Sequence, residues 1–205
     1  MPDGRQALVD AATCVFAERG YEAADLRTIA RVADVDPGLV RIHFGSKAGL
    51  WEACVGAIVA QAAPMISEVR QIVSDATAPV RARLSILIGR YVGFSFAHPG
   101  VRQFVAQHAS ESAERATLLT ERLVRPSYEA ILPLIQAGID AGVIRVRHPA
   151  AFFALLNNAV NQPRAAPVLL HQLCPDIEPE SVQELLTASL IEAFLYAPES
   201  LLPSR

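Results

Sequence analysis

The side chains with the most specific chemistry stand close together, on Asp36-Pro37-Gly38-Leu39-Val40-Arg41-Ile42-His43 and the Ser46-Lys47 pair that follows. Asp36 can cap a helix, and Pro37 suits its first position, where a missing N–H costs nothing. With Val35 stapled against Val40, the helical repeat predicts that Leu39, Arg41 and His43 point away from the interior. An arginine so placed can bond guanine O6 and N7 together, so the set suits base edges in the major groove of double-stranded DNA. Pro37 and Gly38 would approach the DNA backbone. Thr28 and Lys47 are expected on phosphates, because an ammonium beside the free amides of a helix begun at Ser46 grips an anion. Lys47 is the chain's only lysine; the competing reading is a solvated surface side chain.

Other chemistries are poorly served. Ser95, in Gly93-Phe94-Ser95-Phe96-Ala97, falls one residue short of a nucleophile elbow, and no strand precedes it to expose its hydroxyl. An α-helical hydrolase is therefore the weakest reading, and no catalytic residue is assigned. His98 and His108 fit no common metal-ligand spacing, so cap or interface roles suit them better and no metal or cofactor is expected. Asn157 and Asn161 share a helix face, with Asn158 and Gln162 nearby. They fit a solvated face and hydrogen-bonding anchors in an apolar pocket equally well.

The elements that position these residues are helical throughout. Leu8, Ala11, Ala12, Val15 and Phe16 recur at helical spacing over Arg5 to Arg19, and Gly20 closes that helix. Asp25 can cap a second helix bearing Leu26, Ile29, Ala30 and Ala33, and a tight turn leads to the helix begun at Asp36. The result is a helix-turn-helix. A fourth helix begins at Ser46-Lys47, carries Leu50, Trp51, Cys54, Val55, Ile58 and Val59, and is expected to kink or break at Pro64. Trp51 reads as a core plug. Further helical segments are expected at 79–97, 100–109, 114–141, 148–174 and 179–196, with a kink at Pro126 or Pro133 in the third of them.

Val35 to Leu50 resembles the recognition helix and following segment of the TetR/AcrR transcriptional regulators, and Ala11 to Tyr21 resembles that family's first helix and its ending. Asp34 stands where the family commonly has a turn glycine, a position aspartate tolerates because it visits positive φ more readily than most residues. Arg41-Ile42 replaces a commoner Tyr-His pair. The resemblance implies an all-α chain with a helix-turn-helix DNA-binding domain over residues 1–50 and a larger helical ligand-binding and dimerisation domain over 51–205. It further implies a repressor released from its operator by an apolar or amphipathic small molecule, held in a cavity lined by Phe94, Phe104, His108, Tyr128, Phe153, Asn157 and Asn161. The alternative is a TetR-like small-molecule or protein binder that has lost DNA binding.

Composition sets the outer bounds. The 205 residues are 52% hydrophobic with mean hydropathy +0.28 and net charge −3, enough to bury a sizeable core. Uninterrupted apolar runs fall short of the ~18 residues that span a bilayer, so no membrane partner is expected. Three cysteines without a C-x-x-C spacing favour a reducing cytoplasm. The first fifty residues are not basic as a whole, but Pro37 to Leu50 holds Arg41 and Lys47 and no acid. The surplus of apolar positions over 179–196 exceeds what one buried face requires. A homodimer built on 148–161 and 179–196 would use it, and its two recognition helices would require a pseudo-palindromic operator.

Overall fold

The computed structural model describes residues 4–160 and 165–196. Among them no strand occurs. The helices are α1 (Gly4–Ala23), α2 (Leu26–Val32), α3 (Gly38–Phe44), α4 (Lys47–Ser74), α5 (Val80–Ala97), α6 (Pro99–Glu111), α7 (Ala113–Leu119), α8 (Arg125–Asp140), α9 (Pro149–Ala159), α10 (Ala165–Leu173) and α11 (Val182–Phe194). The chain is all-α, with an N-terminal helix-turn-helix and a larger C-terminal set of helices. It divides into two compact units: residues up to Ala63 with Gly100–Val124, and Pro64–Pro99 with the described residues from Arg125 onward.

In the first unit α1 buries the expected stripe, Leu8, Ala12, Val15 and Phe16. Ile29 and Ala30 of α2, Val40 of α3 and Leu50, Trp51, Cys54, Val55 and Ile58 of α4 complete its core with Val101 and Phe104 of α6. Fully burying a side chain such as Phe16 contributes roughly 1.5–3 kcal/mol. Burial also pushes the Cys54 thiol up to about 12, so it stays protonated and packs as a small apolar group. Gly20 leaves helical geometry as expected (φ 78°, ψ 173°), although one more turn carries α1 to Ala23.

Helix α4 runs unbroken through Pro64. The proline cannot donate to the Ala60 carbonyl, but both residues are exposed and water can serve that carbonyl instead. Among the described residues α4 is the one helix long and apolar enough to cross a bilayer, its mean hydropathy reaching 1.4. Glu52, Gln61 and Pro64 interrupt it, so it contains no long uninterrupted apolar run. Leu50, Cys54, Val55 and Ile58 are fully buried in the protein, though only 33% of its apolar stretch is.

The second unit centres on α5, which buries Leu84, Leu87, Ile88, Tyr91 and Val92 and packs on α8 and α11; α8, with Ile131, Leu134 and Ile135 buried, packs in turn on α9, where Phe152, Phe153 and Leu156 are buried. A Cβ at Gly138 would lie 2.8 Å from the side-chain ends of both Leu84 and Ile144, so a larger residue there would force both to shift. The irregularity expected in segment 114–141 is a π turn at Thr120–Val124, directly before Pro126. A proline ring clashes with the carbonyl four residues back and offers it no N–H, and a widened turn relieves both. Pro133 sits inside α8 without ending it. Segment 148–174 is not one helix, since α9 ends at Ala159 and α10 starts at Ala165. Asn161 and Gln162 lie outside the described residues.

Candidate nucleic-acid interface

The helix-turn-helix is fixed by caps. Asp25 accepts the N–H groups of Arg27 and Thr28, each at 3.0 Å, and the Thr28 hydroxyl at 2.6 Å. The hydroxyl and these amides hold its carboxyl below the usual range. Helix α2 ends in a Schellman motif: the Val35 N–H bonds the Ala30 carbonyl at 3.0 Å and the Asp34 N–H bonds Arg31 at 3.3 Å. Asp34 takes φ 53° there, the positive φ expected of a residue in the glycine's place. Asp36 then accepts the Gly38 N–H at 2.7 Å, and Pro37 already has helical dihedrals, so the cap falls on the expected residue. A Cβ at Gly38 would meet that aspartate oxygen at 2.8 Å, so a bulkier residue would press on the cap itself.

Of the seven residues of α3 only Val40 is buried. Arg41 and His43 are exposed as expected, with His43 edge-on to Phe44 and the Arg5 guanidinium 5.3 Å over the Phe44 ring. Leu39 departs from the expectation. It is half-buried against the start of α1, its Cδ1 within 3.6 Å of where a Cβ on Gly4 would be. The outward face is instead centred on Ile42, which is 74% exposed and lies four residues from Gly38 and beside Arg41. Its sequence signal was available: once Val40 is the inward residue, a neighbour 200° away must face outward.

The two residues expected on phosphates differ. Both Thr28 donors are committed to Asp25, so its hydroxyl must turn from that carboxylate to serve another anion. Lys47 is half-buried rather than solvated. It donates to the Glu22 carbonyl at 3.2 Å and lies 4.7 Å over the Tyr21 ring, while Ser46 caps α4 by accepting the Gly49 N–H at 3.1 Å.

The residues expected around one cavity fall into separate groups. In the first unit, Phe104 and His108 pack with Trp51 at 5.9 and 5.5 Å from its ring. In the second, Tyr128 and Tyr91 meet Phe153 at 5.4 and 6.4 Å, and Phe94 lies on His98 at 4.7 Å. The Asn157 amide donates to the Phe153 carbonyl of its own helix at 2.8 Å. Two clefts, of about 490 Å³ beside Arg5, Val9, Glu52 and Arg122 and about 300 Å³ beside Arg70, Glu129 and Pro133, include none of them. Ser95 is buried within α5 with its hydroxyl donated to Tyr91, which removes it from nucleophile chemistry.

These parts define a helix-turn-helix head presenting a short, sparsely buried helix. Residues 8–54, the helix-turn-helix head with the start of α4, match the family model of bacterial regulatory proteins of the TetR family. An HTH-type transcriptional repressor of Mycobacterium tuberculosis is 44% identical over 63 residues, which cover 29% of this chain and 31% of the relative. The match thus spans about a third of that relative's length. Across nearly the whole chain, a putative fatty acid metabolism regulator of Clostridium perfringens superposes with TM-score 0.68 at 17% identity, covering 93% of this chain and 100% of that one. The ketosteroid transcriptional regulator of Mycobacterium tuberculosis gives 0.66 at 19% identity, covering 96% and 97%. At those identities the structures share the fold.

Proposed function

We propose that this chain is a DNA-binding transcriptional repressor of the bacterial cytoplasm that leaves a pseudo-palindromic operator when an apolar small molecule binds it. The observation that carries the reading is α3, a helix held by one buried valine at the tip of a helix-turn-helix, with Arg41, Ile42 and His43 free to meet base edges. Pro37 and Gly38 at its start remain exposed for close approach to the DNA backbone, and the half-buried Lys47 would hold a phosphate. Residues 1–50 would carry DNA contact, and 51–205 effector binding and assembly. Two copies would pair through α9 and α11. Leu155 and Leu185 on those helices, and Val168, Leu169 and Leu173 on the neighbouring α10, are large apolar side chains left exposed.

The effector would be apolar or amphipathic, seated among aromatic groups such as Tyr91, Tyr128 and Phe153 with Asn157 nearby. One observation favours the second reading, a TetR-like binder without DNA affinity: the Asp25 carboxylate holds both donors of Thr28 on the surface meant for phosphates. Footprinting DNA upstream of the protein's own coding region separates the two. The repressor should protect a pseudo-palindrome whose half-sites lie about one helical turn or more apart, and a binder that has lost DNA affinity should protect nothing. For an effector, operator DNA must weaken its binding by the same factor that it weakens operator binding.

A further inference from the structure

At the end of α1, Gly20 adopts a backbone conformation that L side chains rarely take, and the break opens a bay that another element fills. A Cβ on Gly20 would lie 1.8 Å from the Glu111 carboxylate at the end of α6. That carboxylate accepts the Tyr21 N–H at 3.1 Å, the Gln107 amide at 2.9 Å and the Nδ1–H of His108 at 2.8 Å. Burial works against its charge, yet the hydrogen bonds outweigh burial and hold it below the usual carboxylate range. His108 is itself fully buried against Phe16, Trp51 and Phe104, so its ring cannot swing away from this partner.

What Glu111 fixes is the stretch that holds Lys47. Tyr21 supplies the ring under the Lys47 ammonium and Glu22 supplies the carbonyl that accepts its hydrogen. Arg115, one turn beyond Glu111, lies 4.0 Å over the same Tyr21 ring and pairs with Glu22 at 3.1 Å. Side chains of α6 and α7 therefore hold the turn after Gly20, and Lys47 rests on the same turn. We propose that Glu111 is a positioning residue that sets Lys47 for phosphate contact by locking Gly20–Glu22, so that α6 governs a DNA contact it never touches. This rests on the reading that Lys47 holds a backbone phosphate.

The sign of the effect makes the proposal testable. Removing an acid from a DNA-binding head should tighten DNA binding by ordinary electrostatics, whereas losing the seat of Lys47 should loosen it. The full chain would be titrated with a labelled mixed-sequence DNA duplex over a salt series, as wild type, Lys47→Ala, Glu111→Ala, Glu111→Gln and the double Lys47→Ala/Glu111→Ala variant. Because Lys47 is the only lysine, isotope-labelled lysine gives one side-chain resonance that reports its seat without DNA. Lys47→Ala should flatten the salt slope by about one per head. Glu111→Ala should weaken binding with a similar flattening, the double variant should lose no more than Lys47→Ala, and the lysine resonance of Glu111→Ala should move toward that of free lysine. Glu111→Gln keeps the side chain's length and carries the same prediction in weaker form, should the alanine variant lose its fold. If Lys47→Ala flattens the slope while the Glu111 variants bind as well as wild type or tighter with the resonance unmoved, or if the two losses add, the proposal falls and the phosphate reading stands. A Lys47→Ala slope equal to wild type overturns the phosphate reading and the proposal together.

Discussion

Helices α3 and α11 have the same deficit and opposite chemistry. Each buries a single residue, Val40 in one and Val182 in the other. Most helical stability comes from packing an apolar face; α3 has little of it, whereas α11 lies along α5 yet fully buries only Val182. What remains uncovered differs. Around Val40 stand Arg41, Ile42 and His43, a polar and cationic surface suited to base edges, whereas α11 leaves Leu185 exposed beside the small Ala188 and Ser189. Both leave surface uncovered, and under the proposed reading the type of side chain left outside suits a nucleic acid on α3 and a second copy on α11.

The sharpest break in this comparison is charge on α11. Leu185→Glu should yield a monomer in sedimentation and weaken operator binding roughly 100-fold or more, because two linked heads bind far more tightly than one. A dimeric variant would move the interface elsewhere. Next comes the single anchor of α3: Val40→Ala removes two buried methyl groups and should cost ~2 kcal/mol by urea denaturation, with α3 loosened first. Arg41→Ala should leave stability unchanged and cost about 1–3 kcal/mol of discrimination at one base pair per half-site in a binding-site selection. Ile42→Ala should lose less, and only at positions holding thymine, whose methyl group an apolar side chain meets.

The smallest effect is set by pH and belongs to neither exposed face. Burial holds His108 below its ordinary 6.5, with Glu111 pulling the other way, and Asp25 and Glu111 titrate below their ordinary 3.8 and 4.5. In each case the unfolded chain binds the proton more readily, so stability is full above the unfolded value and falls as pH drops toward the folded one. The loss should begin below about pH 6.5 with His108 and deepen below about 4.5 with the carboxylates. Denaturation midpoints at pH 7 and pH 5.5 check the first part: His108→Gln should shrink the difference, and an unchanged difference would remove His108 from the account.

Much of this was legible in the sequence where the physics is local. The Asp25 and Asp36 caps, the positive φ of Asp34 and the break at Gly20 each follow from residues within a few positions of one another. The outward face of α3 was less legible, because Leu39 is turned in by α1 through contacts near Gly4 that no local spacing encodes. Glu111 lies 90 residues from the Tyr21 amide it binds, and nothing in either stretch announces the other. The residues expected around an effector are mostly aromatic, a character that serves a core as well as a pocket. Phe104 and His108 are buried in the first unit and Phe153 in the second, while Tyr128 is half-buried.

The central claim is that α3 reads a DNA sequence, and the most direct test is the affinity of the intact protein for its own upstream DNA and for a mixed-sequence duplex across a salt series. The account predicts that log affinity falls linearly with log salt for both, and that the upstream fragment binds at least about 1,000-fold more tightly at physiological salt. Equal affinity for the two duplexes, or binding indifferent to salt, would contradict it.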